Sequence, residues 1–420
     1  MPCPFSDPFK NARDKEGTLV NRFGTEDIPM LLRHADVRRA AKDWETFSSD
    51  APFRVPVPSE EELRPMRQLP IETNPPEHTK YRAAVEPFFR RAKSPEVIAK
   101  VEALVTRLFD EAFARDSTEI VNDFALPLQS TALTYLLNVD EEESKTWISW
   151  GIHVFYDGDD KGTKGKVLDT YLRQRLDQAE ADPGDDFFSA LVTMNFEGRT
   201  LTRAEAMGFA NLTFAGGRDT VIHSITGAFD IFAQKPGQLD YLRQGPKHIV
   251  SASEELFRIL SPITHLGRVC PATTEIAGQT IEPDHRISLG WAAANFDEDV
   301  FPDPTTVKLD RKPNPHVAFG FGPHLCIGAT HARLLLRTVL RQIAERVESI
   351  EIRDAEEAVE DVDSMLDAVT FADEVEEEGL DAKVKEEESV ATEPDETFSP
   401  ERVKALRESR FPFHILGKHD

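Results

Sequence analysis

The sequence has little cysteine, and its cysteines are too few and too scattered to form a disulfide framework. The 420 residues include only Cys3, Cys270 and Cys326, an odd number that favours a reducing compartment. The N-terminal stretch lacks the apolar core of a signal peptide, and no later run is long and apolar enough to span a bilayer. These absences predict a soluble, cytoplasmic protein without a membrane span.

A basic stripe is also missing, since the chain is acidic overall. The net charge is −26, and residues 351–400 alone hold 20 Asp and Glu against 3 Lys and Arg. This balance argues against nucleic acid as a partner. Residues 354–397 combine low hydrophobicity with high charge, a composition that resists collapse. We expect them to be a largely disordered insertion in one catalytic domain formed by residues 1–353 and 398–420.

Helical patterns dominate the rest of the sequence. The stretch 94–115 begins with a Ser cap and a Pro, and its apolar residues then recur every three or four positions. Further helices are expected over 34–43, 249–260 and 331–347, whereas the Pro-rich stretch 51–70 reads as a long loop. Short extended pieces between 268 and 290 and a closing strand, FPFHIL, would add small sheets. The sequence therefore predicts a mainly α fold with small β-sheets.

The longest helix candidate covers residues 201–234 and opens with a capping box of Thr202 and Glu205. At about 1.5 Å per residue it would run roughly 50 Å, which predicts a central position. Gly216 and Gly217 lie in its middle, and each costs about 1 kcal/mol relative to Ala. Close packing against a neighbour is one interpretation of this pair. An opening where a ligand approaches the backbone is the other.

Cys326 lies in the glycine-rich stretch FGFGPHLCIG, residues 319–328. A lone cysteine is usually a small buried hydrophobic residue. Here Gly320, Gly322 and Gly328 permit a tight bend and leave room for a large flat group. The helix that follows would direct its N-terminal amides at the sulfur and lower the pKa of the thiol. With no CxxC partner for zinc and no protease pattern nearby, thiolate ligation of haem is the chemistry that remains.

This stretch resembles the haem-binding loop of the cytochrome P450 family, with Phe319, Gly322, His324, Cys326 and Gly328 at the matching positions. The resemblance implies the cytochrome P450 fold, in which a long central helix lies over the cofactor. It also implies that the cofactor is haem b and that Cys326 is the proximal ligand of its iron.

A second stretch in the family's order is the pair Glu255 and Arg258, which matches its Glu-x-x-Arg helix. The i, i+3 spacing places both side chains on one face, and the resemblance makes Arg311 their third partner. The alternative is an ordinary surface ion pair, for which Glu254 is another acid close by. Phe296 departs from the pattern, because related sequences usually carry an arginine there, and this puts a local contact in doubt.

A third stretch, GGRDT at 216–220, resembles the family's oxygen-activation motif. The resemblance implies that Gly216 helps to open a groove over the haem. It also implies that Asp219 and Thr220 are the acid–alcohol pair that delivers protons during catalysis. The alternative is that both are ordinary solvent-side residues of a helix.

A fourth stretch, PPEHTKYR at 75–82, resembles the helix that clasps the haem propionates. His78 and Arg82 are four residues apart, so both can reach one anionic group. Arg268 and His316 match other propionate contacts of the family, and an Arg fork suits a carboxylate. Taken singly, each of these is more often a plain surface residue.

The resemblance implies a monooxygenase that hydroxylates, epoxidises or O-demethylates a small organic substrate. The chain carries no flavin or iron–sulfur signature, so its electrons would come from a separate ferredoxin and ferredoxin reductase. Such a ferredoxin is acidic, and a basic island of residues 80–93 with Arg333, Arg337 and Arg341 would receive it. The alternative for each of these residues is a solvated helix face.

Other functions stay open on the sequence alone. A peroxide-dependent haem-thiolate enzyme needs no redox partner, although the Asp219–Thr220 pair argues against it. A non-catalytic haem sensor would bind the cofactor without turnover, and a chain without haem would use Cys326 structurally.

The substrate pocket would draw, by resemblance, on the loop 51–72, on Phe214 and Ala215, and on residues 264–266. A polar or carboxylated substrate is suggested by the basic side chains near this region, which are Arg54, Arg64, Arg67 and His265.

Overall fold

The computed structural model describes residues 7–23, 26–152 and 163–352, together with the backbone of residues 412–417. The acidic segment expected at 354–397 lies outside the described residues. Within the described ranges, none of the helices combines the length and the hydrophobicity that crossing a membrane requires.

Helices make up most of the described chain. In order they are α1 (Lys10–Lys15), α2 (His34–Lys42), α3 (Glu77–Arg90), α4 (Pro95–Phe113), α5 (Leu126–Leu137), α6 (Glu143–Ser149), α7 (Thr163–Ala181), α8 (Phe187–Thr193), α9 (Arg203–Gly217), α10 (Asp219–Gln234), α11 (Leu239–Leu242), α12 (Pro246–Leu260), α13 (Trp291–Asn295) and α14 (Ala329–Arg346). Shorter helical turns cover Arg91–Lys93, Val121–Ala125, Pro236–Gln238 and Gly322–His324.

The strands form three small sheets. In chain order they are β1 (Thr18–Phe23), β2 (Glu26–Leu31), β3 (Thr118–Glu119), β4 (His265–Val269), β5 (Thr274–Ile276), β6 (Gln279–Ile281), β7 (Arg286–Gly290), β8 (Val347–Ile352) and β9 (Pro412–Gly417). The largest sheet has the order β1-β2-β7-β4, with β2 and β7 parallel and the other pairs antiparallel. In the second sheet β9 lies between β3 and β8, and β5 pairs with β6. The mainly α architecture with small sheets is confirmed.

The expected helices begin and end where local signals place them. Ser94 caps α4 by accepting a hydrogen bond from the amide of Val97, and Pro95 occupies the first turn. Helix α12 starts three residues before its expected position because Gly245, with a φ of 121°, ends the preceding turn and Pro246 opens the helix. The helices expected over 34–43 and 331–347 are present as α2 and α14, and the closing strand is β9.

The single helix expected over 201–234 is two helices. Helix α9 ends at Gly217, and α10 begins at Asp219, with Arg218 at φ −103° and ψ −74° between them. The capping box of Thr202 and Glu205 opens α9 as expected. The prediction of one continuous helix is therefore wrong at the Gly–Gly–Arg sequence, although both halves remain central.

The two halves of this broken helix pack into different cores. Phe209 and Phe214 of α9 pack among the buried side chains of α7 and α8. Phe229 and Phe232 of α10 pack with α4, α5, α12 and α14. Burying a Phe side chain stabilises the folded state by about 1.5–3 kcal/mol, so each half is anchored independently and the break lies between the two cores.

The stretch 51–70 is a loop, as expected, and it is fastened to α9. The amide of Leu69 donates to the carbonyl of Gly208 at 3.3 Å, and the Gln68 side chain donates to Asn211 at 2.9 Å. Only Gly allows this approach, because a Cβ at Gly208 would lie 2.2 Å from the Arg67 carbonyl oxygen. The loop therefore has a fixed position against the central helix.

Candidate functional site

The glycine-rich bend positions Cys326 at the start of α14. Gly320 and Gly322 have φ values of 72° and 75°, which side chains with a Cβ rarely adopt. The Cys326 amide donates to the carbonyl of Phe319 at 2.8 Å and closes the bend. The amides of Gly328 and Ala329 hydrogen-bond to the Cys326 sulfur, so the helix N-terminus faces it as expected.

The net effect on the thiol differs from the expectation. Burial raises the pKa of Cys326 above its usual value, and this outweighs the opposing effects of the Gly328 and Ala329 amides and of Arg82 and Arg333. The prediction of a lowered pKa is therefore wrong for the polypeptide alone. A coordinated metal ion would remove the proton, because its charge replaces the missing counter-ion.

Cys326 is surrounded by protein, yet its side chain remains exposed. A side chain that lies deep in the molecule and keeps free surface faces a void. Gly216 on α9 is also exposed, and a Cβ at Gly216 or at Gly217 would meet nothing within 4 Å. Free space therefore lies beside the sulfur and beside the centre of the broken helix, as a large flat cofactor requires.

Three of the four residues expected to contact the propionates, His78, Arg82 and Arg268, lie together with His324 in one basic group. His78 and His324 have ring centroids 4.1 Å apart, and Arg82 donates to the carbonyl of Leu325 at 2.7 Å. Arg268 is buried on β4, and burial lowers its pKa to about 10. Burial, followed by the charges of Arg82 and Arg268, lowers the pKa of His78 to about 4.

The same group shifts His324 further. Burial and then Arg268, His78 and Arg82 lower the pKa of His324 to about 2, and neither ring nitrogen has a hydrogen-bond partner among the described residues. No carboxylate within the described ranges contributes to the shifts of His78, Arg268 or His324. Two arginines and two histidines that no described carboxylate neutralises fit the two propionates of haem.

His316 is the exception, because the structure places it in a different group. Its Nε2 lies 3.1 Å from Glu254, and its Nδ1 accepts from the amide of Ala318 at 3.3 Å. Arg333 and Arg337 bind the same Glu254 carboxylate at 2.7 and 2.6 Å. Both ring nitrogens of His316 are engaged by the protein, so the structure does not bring it to the basic group as expected.

Glu255, Arg258 and Arg311 form a fully connected ion group in the interior. Arg258 donates twice to Glu255, at 2.8 and 2.9 Å, and both side chains have no exposed surface. Arg311 donates to the same carboxylate at 3.0 Å, and the Lys308 amide and the Asn314 side chain complete its contacts. The network is therefore internal, not the surface ion pair that was the alternative.

Phe296, which replaces the usual arginine, packs on this network. The Arg258 guanidinium lies 5.7 Å from the Phe296 ring centroid and 5.3 Å from that of Phe301. Arg258 also donates to the carbonyl of Asn295 at 2.8 Å. At the position where related sequences usually carry an arginine, Phe296 therefore makes a cation–π contact with Arg258.

Asp219 and Thr220 open α10 directly after the helix break. The Thr220 hydroxyl donates to the carbonyl of Gly216 at 3.3 Å, across the break. Two neighbouring residues that sequence reasoning missed also act here. Gln129 of α5 donates to the carbonyl of Gly217 at 2.8 Å, and Arg218 donates to the carbonyls of residues 147 and 151. The arginine inside the GGRDT motif is a signal that the sequence offered for Arg218. The residues around Gln129 give no such signal.

The basic side chains expected near the substrate are bound to protein acids. Arg54 pairs with Asp284 at 2.6 Å, and Arg67 pairs with Asp50. Arg64 is buried between Glu60 and Glu72. These pairs remove the observation that suggested a carboxylated substrate. His265 remains neutral, since burial lowers its pKa to about 4.

The expected basic island is also partly neutralised. Arg333 and Arg337 share Glu254, and Arg341 pairs with Glu102 at 2.5 Å. Arg91 donates to the Asn138 side chain at 2.7 Å, which makes it part of the packing between α5 and the turn after α3. Arg90 is 67% exposed and has only its helical neighbour Glu86 as an ion-pair partner within the described residues.

Comparisons with known proteins agree with this geometry. The family model "Cytochrome P450" matches residues 163–359. The probable cytochrome P450 127A1 of Sinorhizobium fredii is 30% identical over 349 residues, covering 82% of this chain and 80% of that protein. The steroid C26-monooxygenase of Mycolicibacterium smegmatis is 29% identical and covers 82% of this chain and 86% of that protein.

A solved structure is more similar still. "The structure of a carbohydrate active P450" has 45% sequence identity and a TM-score of 0.80, and covers 86% of this chain and 94% of that one. A cysteine facing a void, a basic group without a protein acid, and these likenesses lead to one assignment. The chain belongs to the cytochrome P450 family and is a haem-thiolate monooxygenase with haem b as its cofactor.

Proposed function

We propose that this monooxygenase oxidises a neutral carbohydrate, with electrons supplied by a separate ferredoxin and ferredoxin reductase. The observation that carries the substrate class is the 45% identity with the carbohydrate-active structure. This is well above the 30% and 29% shared with the two curated relatives. One oxygen atom of dioxygen enters the substrate, and the other leaves as water after two electrons and two protons are consumed.

The charge pattern near the expected pocket supports a neutral substrate. The arginines of the 51–72 loop are each held by a protein carboxylate, namely Asp284 for Arg54 and Asp50 for Arg67. Arg64 is enclosed by Glu60 and Glu72. An anionic substrate would need one of these pairs to break, which is costly for the buried pairs of Arg64. The exposed pairs of Arg54 and Arg67 would lose only about 0–1 kcal/mol each. A hydroxyl-rich neutral ligand needs no such exchange.

The proposed cofactor contacts follow from the basic group and the bend. Cys326 holds the iron through its sulfur, while His78, Arg82, Arg268 and His324 hold the propionates. The bound haem supplies the activation of dioxygen. Phe319 and Gly328 would border the cofactor near the Cys326 sulfur, and Gly216 would leave space for it beside α9.

Asp219 and Thr220 are proposed to pass protons into this space. Thr220 anchors its hydroxyl on the Gly216 carbonyl and keeps its oxygen as an acceptor. Asp219 stands one residue before it at the start of α10. A Thr220→Ala variant should send more of the electrons from NAD(P)H to hydrogen peroxide and fewer to product.

The substrate proposal is tested with a panel of compounds. The panel contains neutral mono- and disaccharides, their O-methyl ethers, the matching uronic acids and an apolar terpene alcohol. Binding is followed by the shift of the haem Soret band, and oxidation by oxygen-18 incorporation or formaldehyde release. We expect binding and oxidation of neutral carbohydrates. Preference for the uronic acids or for the terpene alcohol would contradict the proposal.

Ferredoxin docking is tested on the exposed part of the basic island. Arg91 is unsuitable because its reversal would also disturb Asn138. Reversing Arg90 and Lys93 to Glu should slow the reduction of the haem by an acidic ferredoxin and leave substrate affinity unchanged, because long-range attraction sets the association rate. An unchanged reduction rate would reject this surface.

A further inference from the structure

The break in the central helix is held by side chains other than the proposed proton-delivery pair. In a continuous helix the Gly217 carbonyl would accept a hydrogen bond from the Val221 amide. That amide instead donates to the Arg218 carbonyl at 3.1 Å. Gln129, fully buried on α5, supplies the missing donor to Gly217 at 2.8 Å. The open carbonyl is therefore satisfied by a specific side chain.

Arg218 secures the break from a second helix. It has no exposed surface, and its Nη2 donates to the carbonyls of Trp147 and Gly151 at 2.8 and 2.9 Å. The Trp147 carbonyl belongs to the last turn of α6, and the Gly151 carbonyl lies two residues beyond its end, where helical partners run out and a cation is favoured. The guanidinium also lies 5.6 Å from the Trp150 ring centroid.

Packing alone does not explain an arginine at this position. Its Nε and Nη1 have no hydrogen-bond partner among the described residues, and burial lowers its pKa to about 10. Replacing such a buried charge by an apolar side chain is often neutral or stabilising. Burying the arginine therefore costs folding free energy. In return, its guanidinium ties the helix break, one residue before Asp219, to the end of α6.

We propose that Arg218 and Gln129 are positioning residues that fix the helix break and thereby the placement of Asp219 and Thr220 over the haem. Gln129 donates a hydrogen bond to the last carbonyl of α9. Arg218 is the residue between α9 and α10, and its side chain fastens that position to the end of α6. The inference rests on the proposed roles of Asp219 and Thr220. It adds two residues, from α5 and from the break itself, that act through this pair.

Carbon monoxide bound to the reduced protein is a probe of this geometry that needs no substrate. Its carbon–oxygen stretching band responds to the groups that lie over the haem. The variants are Arg218→Met, Gln129→Met and the conservative Arg218→Lys. Thr213→Val is the matched control, because the buried Thr213 hydroxyl bonds the Phe209 carbonyl at 2.8 Å on α9, away from the break.

Arg218→Met and Gln129→Met should shift or split the band, Arg218→Lys should do so less, and Thr213→Val should leave it unchanged. A purely structural role would change the unfolding free energy of the variants without moving the band. Wild-type bands in both Met variants would therefore overturn the proposal.

Hydrogen exchange of the full chain gives an independent measurement where a Met variant fails to fold. Amides of residues 216–222 should exchange at least tenfold faster in Arg218→Lys than in the wild type, and equal exchange would overturn the proposal. If the wild type binds carbon monoxide without a thiolate-type spectrum, the assignment of Cys326 as the thiolate ligand fails. The exchange measurement still decides the positioning role in that case.

Discussion

Single residues carry the chemistry of this site, and two neighbouring acids, one fully buried and one partly buried, have different environments. Glu255 belongs to an internal ion group, whereas Glu254, its neighbour in sequence, faces α14 and binds His316, Arg333 and Arg337. Burial favours the protonated form of Glu254, but the hydrogen bonds from Arg333 and His316 outweigh it and hold the pKa of this carboxyl below its usual value of 4.5.

Glu254→Gln should therefore lower the unfolding free energy by about 2 kcal/mol at neutral pH, because charge-assisted hydrogen bonds to two arginines are lost. A depressed carboxyl pKa stabilises the fold above the usual pKa and loses that effect as the pH falls. The difference between wild type and variant should then shrink below pH 4.5. Urea unfolding at several pH values measures it.

Glu102→Gln is the matched control for this prediction. Glu102 also pairs with an arginine of α14, Arg341, but both side chains are more than 40% exposed, so its loss should cost less than about 0.5 kcal/mol. Equal costs for the two variants, or a Glu254→Gln effect that does not change with pH, would contradict this account of Glu254.

At the residue scale, the sequence predicts the geometry of the site where that geometry depends on a local motif. The bend around Cys326 and the spacing of Glu255 and Arg258 are encoded by neighbouring residues. The contact of His316 with Glu254 was not foreseen, because Glu254 comes from a helix some sixty residues earlier. The predicted direction of the Cys326 pKa shift was wrong for a similar reason, because burial of the thiol depends on the whole fold.

Two glycines of the central helix α9 position the elements of the site, one by a close approach and one by leaving open space. Gly208 admits the loop 51–72 to the surface of α9, and Gly216 borders the free space of the cofactor. The Arg67 carbonyl occupies the space beside Gly208, whereas a Cβ at Gly216 would meet no atom within 4 Å. Adding one methyl group at each position therefore separates packing from function.

Gly208→Ala should lower the unfolding free energy by about 1–3 kcal/mol, because the new methyl group would overlap the Arg67 carbonyl. It should also speed proteolysis within residues 51–72. Gly216→Ala meets no atom within 4 Å and should keep or raise stability by up to about 1 kcal/mol. Equal loss of stability in both variants would contradict the assignment of free space beside Gly216.

At the element scale, periodicity found the helices but not the break. Apolar residues recur at helical spacing on both sides of residues 216–220, so the sequence predicts one helix. The interruption depends on Gln129 and on the carbonyls of residues 147 and 151. These groups are distant along the chain, and local propensity does not encode their positions.

At the scale of the whole molecule, strand β9 joins distant parts of the chain in one sheet. β9 lies between β3 and β8, so it is the central strand of that sheet and pairs with residues on both sides. The sequence predicted a closing strand from FPFHIL alone. Its partners could not be predicted, because antiparallel pairing with β3 joins residues almost three hundred positions apart.

Removing residues 412–420 should lower the Tm by several degrees, because β3 and β8 both lose their backbone partner. Deleting residues 356–396, proposed from composition to be an insertion outside the catalytic core, should leave the Tm almost unchanged. Thermal unfolding of the two haem-loaded deletion variants compares them. A larger fall for the internal deletion than for the terminal one would contradict the proposed domain organisation.

The central claim, that Cys326 holds haem iron through a thiolate, is tested most directly by one measurement. It is the carbon monoxide difference spectrum of the dithionite-reduced protein, recorded beside Cys326→Ser. Thiolate ligation should give a strongly red-shifted Soret band in the wild type, and the variant should lose this band. A band typical of a histidine or neutral ligand, or one that survives in Cys326→Ser, would contradict it.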